Sequence, residues 1–218
     1  METVTTKCSV LKHPEFHVKF DCAIPDVDVH TLVSFLEQSV KGGTHYQHGQ
    51  LIELGSMIFR LVAVNGYLET EEPDLLGFPI TWREGVTNSL RLLRLQKDIA
   101  ESVGLGDNLD FPSIRQGLLV GADLLDGSNT FVSERLHPEG TDSGWFIGRP
   151  DSQLDYNEPR SLRRISVYQA ILGWPHISGF LALPEGIRVE APSGRLQISR
   201  NGKPLEIRKG SFLDVGSS

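Results

Sequence analysis

Cysteine is nearly absent from this chain. Its 218 residues hold two, Cys8 and Cys22, too few and too irregularly spaced for a disulfide framework or a zinc site. No apolar run approaches the roughly 18 residues that a membrane span needs. The opening Met-Glu-Thr-Val-Thr-Thr-Lys-Cys lacks the basic-then-apolar pattern of a secretory leader. These absences make the cytoplasm the expected location and leave no membrane role. Motifs for covalent and phosphate chemistry are missing too. There is no Gly-x-Ser-x-Gly elbow, no glycine-rich phosphate loop with its lysine and no His-Glu-x-x-His, and neither cysteine stands in a Cys/His signature. A binding protein without catalytic residues, metal or cofactor is the expectation. Catalytic groups can still converge from distant segments. A small cytosolic hydrolase therefore stays open as an alternative, beside a ligand-binding accessory module with a deep apolar pocket.

The composition is that of a globular protein, with 39% hydrophobic and 22% charged residues. The net charge of -7 is uneven: residues 1–110 hold 9 Lys/Arg against 16 Asp/Glu, and residues 111–218 hold 12 against 12. An acidic first half repels nucleic acid and anionic membranes and attracts basic partners. Simple solubility accounts for mild acidity equally well.

Hydrophobic periodicity points to an α+β fold made of two small sheet-plus-helix subdomains with mostly antiparallel sheets. Phe16–Phe20 alternates as a strand. A helix capped by Asp26 or Asp28 carries Val29, Leu32, Val33, Leu36 and Val40 at helical spacing and stops at Gly42-Gly43. Strands follow at 50–54 and 57–64, and Asn65-Gly66 predicts a hairpin into Tyr67–Thr70. Thr81-Trp-Arg-Glu84 has the spacing of a capping box and predicts a long helix to about Val103. The glycine-rich stretch from Gly104 to Asp110 divides an N-terminal domain, 1–108, from a C-terminal domain, 109–218. In the latter, strands are expected at 117–121, 130–133, 145–147, 179–183, 187–190 and 195–199. A helix is expected from Asn157-Glu-Pro159 to about Leu172.

Several constellations have both a chemical and a plain reading. Asp26-Val-Asp28-Val-His30 would face one side of a strand and offer mixed metal ligands. The helical periodicity that begins at once favours a cap and first-turn acids instead. His45 and His48 share no third ligand and lie between glycines, as in a loop. Glu69, Glu71, Glu72 and Asp74 put four acids just after the hairpin, where they would form a rim for a basic partner or a solvated turn. Aromatic anchors within such a rim would be the exposed members of Tyr46, Tyr67, Phe78 and Trp82.

Thr141-Asp142-Ser143-Gly144-Trp145-Phe146-Ile147-Gly148 is the most distinctive stretch. Asp142 can bond forward in an Asx turn, Gly144 can take a positive φ, and Trp145 with Ile147 then faces one side of a strand. This stretch resembles the signature of immunity protein family thirty-three, found in bacterial polymorphic toxin systems. Leu124-Leu125-Asp126-Gly127, Tyr168-Gln-Ala-Ile-Leu172 and Phe180-Leu-Ala-Leu-Pro184-Glu-Gly186 fit the same pattern, so the resemblance covers about residues 115–190. The chain departs from it after Trp145, where Phe-Ile-Gly-Arg-Pro replaces a more acidic continuation. The resemblance implies an α+β fold in which Asp142, Ser143, Gly144 and Trp145 are structural. It also implies a cytoplasmic antitoxin that binds a cognate toxin, one delivered by a contact-dependent or type VI secretion system. An acidic first half would suit a nuclease, whose surface is basic. No nucleic acid or membrane partner is expected, and the chain would act as monomer or dimer.

Overall fold

The structure, a computed structural model, describes residues 1–124, 130–191 and 196–215. The fold is α+β, built from two compact units, Met1–Arg94 and Leu95–Ser218. Each has its own mixed, mostly antiparallel sheet.

In the first unit the strands are β1 (Glu2–Val4), β2 (Phe16–Lys19), β3 (Leu51–Leu54), β4 (Met57–Val64), β5 (Tyr67–Pro73) and β6 (Trp82–Glu84), with helix α1 (Asp26–Lys41) between β2 and β3. The sheet order is β1-β2-β5-β4-β3, antiparallel throughout except where β2 runs parallel to β5. β6 pairs with β5 at 71–73, on the edge that β2 leaves free beyond Glu69. The hairpin expected at Asn65-Gly66 is present, with both residues at positive φ (49° and 87°), as a two-residue type I′ turn requires. Period-two alternation gives the sheet two different faces. Phe16, Val18, Phe59, Leu61 and Leu68 are buried, and the buried stripe of α1, Val29, Leu32, Leu36 and Val40, supplies the other half of this core.

Two sequence expectations need correction here. The residue that caps α1 is Pro25, with no side-chain cap; Asp26 and Asp28 lie in the first turn. There Asp28 accepts a two-pronged pair from Arg94 (2.9 and 2.5 Å). The Thr81–Glu84 stretch opens no helix. Residues 82–84 are β6, Gly85 turns the chain at φ 93°, and α2 (Thr87–Ser102) begins five residues later than Trp82. The capping group comes from another strand. The Glu72 carboxylate, fully buried, accepts the N–H groups of Asn88 (3.1 Å) and Ser89 (2.7 Å), meeting both the orphan donors and the helix dipole.

The division between units falls inside α2. The second unit contains β7 (Gly117–Gly121), β8 (Val132–Arg135), β9 (Asp142–Gly148), β10 (Leu162–Ser166), β11 (Ile187–Glu190), β12 (Gln197–Arg200) and β13 (Lys203–Pro204), with helices α3 (Val167–Gly173) and α4 (Phe212–Val215). Its sheet runs β10-β7-β9-β8-β11-β12-β13, parallel only between β7 and β9. The predicted helix from Asn157 is shorter and later. Pro159 starts a three-residue 3-10 turn, Leu162–Ser166 pairs with β7 as an edge strand, and α3 starts at Val167. A capping box formed by Ser166 and Gln169 fixes that start. Residues 179–183 form no strand: Pro175–Phe180 is a 3-10 helix, held in part by Ser178 Oγ donating to Pro175 O (2.6 Å). The expected features at Leu125-Asp126-Gly127 and Arg195 lie outside the described residues.

Candidate functional site

On the first sheet, β5 sorts its acids by parity. Glu69 and Glu71 project from the open face, whereas Glu72 points inward and is committed to α2. A run of four acids therefore does not make a four-membered rim, because alternate strand residues face opposite ways. The open face is instead a ladder of paired charges. His17 lies between Glu2 (3.1 Å) and Glu69 (3.2 Å). Lys19 bridges Glu69 (3.3 Å) and Glu84, and Arg60 Nε donates to Glu71 (2.7 Å). Lys19 is raised, first by its hydrogen bond to Glu84, and Glu84 is lowered, first by that same bond. Arg60 also lies over the half-buried Trp82 ring, 5.0 Å from its centroid.

Beside this ladder the chain leaves the sheet at Asp74 and returns at Thr81, joined by Asp74 N–H to Thr81 O (2.8 Å). The loop so closed, Leu75-Leu76-Gly77-Phe78-Pro79-Ile80, contains no charged residue. Leu76 is 86% exposed and Phe78 67%. Of the expected anchors, Phe78 and Tyr67 (42% exposed) are on the surface. Tyr46 is not: its hydroxyl shares a hydrogen with Ser39 Oγ (2.6 Å), its ring meets Phe16 edge-on at 5.7 Å, and its N–H donates to His13 Nε2 (2.9 Å). That bond leaves His13 Nδ1 to donate to Pro14 O (2.6 Å), so a buried histidine supports the 45–48 loop. His48 Nδ1 similarly accepts Ala63 N–H (3.1 Å). Sequence reasoning named Phe78 but not Leu76, because an isolated leucine in a turn carries no periodic signal.

The acidic asymmetry also changes when it is counted by compact unit. The first unit has eight Lys/Arg against twelve Asp/Glu and the second thirteen against sixteen, since Asp98, Glu101, Asp107 and Asp110 belong to the second.

In the second unit the Asp142–Trp145 stretch is a structural knot. Gly144 N–H donates to Asp142 Oδ1 (2.7 Å), completing the Asx turn. Gly144 sits at φ 75°, and a Cβ there would collide with Leu136 O. Buried Trp145 sends its Nε1–H to Leu181 O (2.8 Å). Arg135, which no sequence signal picked out, is buried against the same ring, 5.6 Å from its centroid. Its guanidinium donates to Leu181 O (2.9 Å), Asp110 O (3.1 Å) and the Asp110 carboxylate (2.9 Å). Burial lowers its pKa and Asp110 works against that shift. Nearby, Tyr156 donates to Asp123 (2.8 Å) and accepts Arg149 N–H (3.0 Å). Burial pulls Asp123 up, but hydrogen bonds from Ser152 and Tyr156 outweigh it, leaving the group lowered. These clusters hold backbone.

Among the described residues no group of three or more His, Cys, Asp or Glu could hold a metal ion, and no helix is long and apolar enough to cross a membrane. Cys8 is buried, and burial above all pushes its thiol up to about 11, so it stays protonated and is a poor nucleophile at neutral pH.

Residues 95–197, just under half the chain, match the family model described as the Imm33-like domain. The match contains the Asp142–Trp145 knot, Arg135 and α3. No curated protein and no solved structure matches the chain.

Proposed function

We propose that this chain is an immunity protein that binds and neutralises a cognate toxin in the cytoplasm. The observation that carries the reading is the Imm33-like match over residues 95–197. A domain of that kind is an immunity-protein domain, and its Asp142, Trp145 and Arg135 side chains hold backbone. Under this reading the second unit is the scaffold. The open sheet face and 74–81 loop of the first unit meet the toxin, through an interface of about 1,600 Å² in total. Leu76 and Phe78 act as the anchors, with Tyr67 and Trp82 beside them. Glu69, Glu71 and Asp74 set register around them; Glu72 supports α2 from within. Because Glu69 and Glu71 already hold Lys19 and Arg60, they offer a partner less free charge than the bare sequence implies. A nuclease delivered by a type VI secretion system is the toxin that best suits a net charge of -7.

The test is genetic and biochemical. Deleting this gene alone should make cells susceptible to toxin-armed kin, and the chain should co-purify with the product of an adjacent toxin gene. Unharmed deletion cells would overturn the reading. Affinity that does not fall with salt would remove the electrostatic part and leave the rest.

A further inference from the structure

β1 is an edge strand. Thr5 N–H donates to Phe16 O, and Phe20 N–H to Met1 O, so odd-numbered residues of β1 make the bonds to β2. Glu2 and Val4 form the intervening pairs, with Lys19 and His17, and their N–H and C=O groups point away from the sheet. Alongside this edge runs α1, tied to it by Thr6 N–H and Lys7 Nζ donating to Glu37 (3.1 and 2.8 Å). The space between is a furrow of two adjoining cavities, about 420 and 460 Å³, which share Lys7, Ser34 and Glu37.

The two ends of the furrow differ in chemistry. At the β1 end the charged lining is Glu2, Asp26 and Glu37 against Lys7, with His30 beside them. Asp26 has no ion-pair partner among the described residues. The other end is apolar, with Val10 82% and Leu11 50% exposed.

We propose that this furrow receives an extended segment of another protein, which adds to β1 as a further strand, sets a Lys or Arg against Asp26, and lays an apolar side chain on Val10 and Leu11. Six extended residues span about 20 Å, which fits beside the roughly 24 Å of a 16-residue helix. Strand addition takes affinity from backbone bonds and selectivity from the side-chain sites. A second copy of this chain is a poor occupant, since β1 against β1 would bring two sets of Glu2 and Asp26 together.

The probe is the peptide acetyl-Lys-Val-Lys-Ile-Lys-Val-amide, titrated into the full chain and followed by amide NMR. The expected result is saturable shifts centred on the Glu2 and Val4 amides, with Kd below about 1 mM. Val4→Pro removes an N–H that the β1–β2 ladder does not use. It and Asp26→Asn should each weaken binding about fivefold or more, with the amide spectrum away from the furrow unchanged. A peptide N-methylated on alternate amides tests strand addition without altering the protein, and should not bind. Equal binding of that peptide, absence of saturation, or shifts that arise without peptide as chain concentration rises would each overturn the proposal. The last would mean that a second copy covers the edge. None of these outcomes bears on the Imm33-like match, which lies in the other unit.

Discussion

Glu15 gives the most direct quantitative test of the first unit. Its Oε2 accepts Thr5 Oγ1–H (2.6 Å) and Cys8 N–H (3.2 Å), and its Oε1 accepts Ser9 N–H (2.7 Å). One carboxylate thus satisfies the start of the 3-10 turn Ser9–Leu11 and ties it to β2. Burial alone would push Glu15 up, but the three hydrogen bonds outweigh it and hold the group at about 2, against an ordinary 4.5. A folded-state pKa below the unfolded one stabilises above the unfolded value, and that stabilisation is lost as pH falls from about 4.5 toward 2. The full shift corresponds to roughly 3 kcal/mol, of which about 1.4 is gone by pH 3.5. Glu15→Gln places an amide N–H against two donors, so at pH 7 it should cost about 2–3 kcal/mol. In urea melts followed at first-unit amides, that loss moves the midpoint down by about 1 M or more. The gap between parent and variant should narrow by about 1.4 kcal/mol between pH 7 and 3.5. Equal stability at pH 7, or a gap that stays constant with pH, would refute the assignment of these bonds to a charged Glu15.

Four other outcomes follow from the same structure. Gly144→Ala should destabilise the second unit by about 3 kcal/mol or more, from positive-φ strain and the clash with Leu136 O, read as a lower melting temperature. Arg135→Met removes the donor to Leu181 and Asp110 and should cost about 3 kcal/mol in urea melts; a neutral result would deny it the role of clamp. Phe78→Asp and Leu76→Asp should leave melting within about 0.5 kcal/mol of the parent yet weaken toxin binding tenfold or more by calorimetry, with Glu71→Lys milder than either. A thiol reagent should label Cys22 alone in the native chain and both cysteines in denaturant, since Cys8 is buried and protonated.

What could be read from the sequence followed the range of the physics involved. Local signals held: Asn65-Gly66 set a hairpin through two residues that tolerate positive φ, and the 3.6-residue stripe of α1 predicted its buried face. The Asp142–Gly144 turn followed from one side chain bonding two residues ahead. Failures came where a distant group supplied what a local motif would have supplied. Thr81-Trp-Arg-Glu84 has the spacing of a capping box, but Glu72 arrives from β5 to cap α2, and the freed segment pairs as β6. Leu162–Ser166 reads from sequence as part of a helix because its partner, β7, is 41 residues away at Leu162↔Gly121, and pairing at that range leaves no periodicity of its own. The charge run at 69–74 misled for a third reason. Composition counts carboxylates, while binding depends on which of them face water without a cation. Lys19, Arg60 and the N-terminus of α2 claim three of the four before any partner arrives. On the proposed reading, the surface left for recognition is therefore more apolar than its sequence, and the leucine and phenylalanine at the tip of the 74–81 loop are where mutation should be felt first.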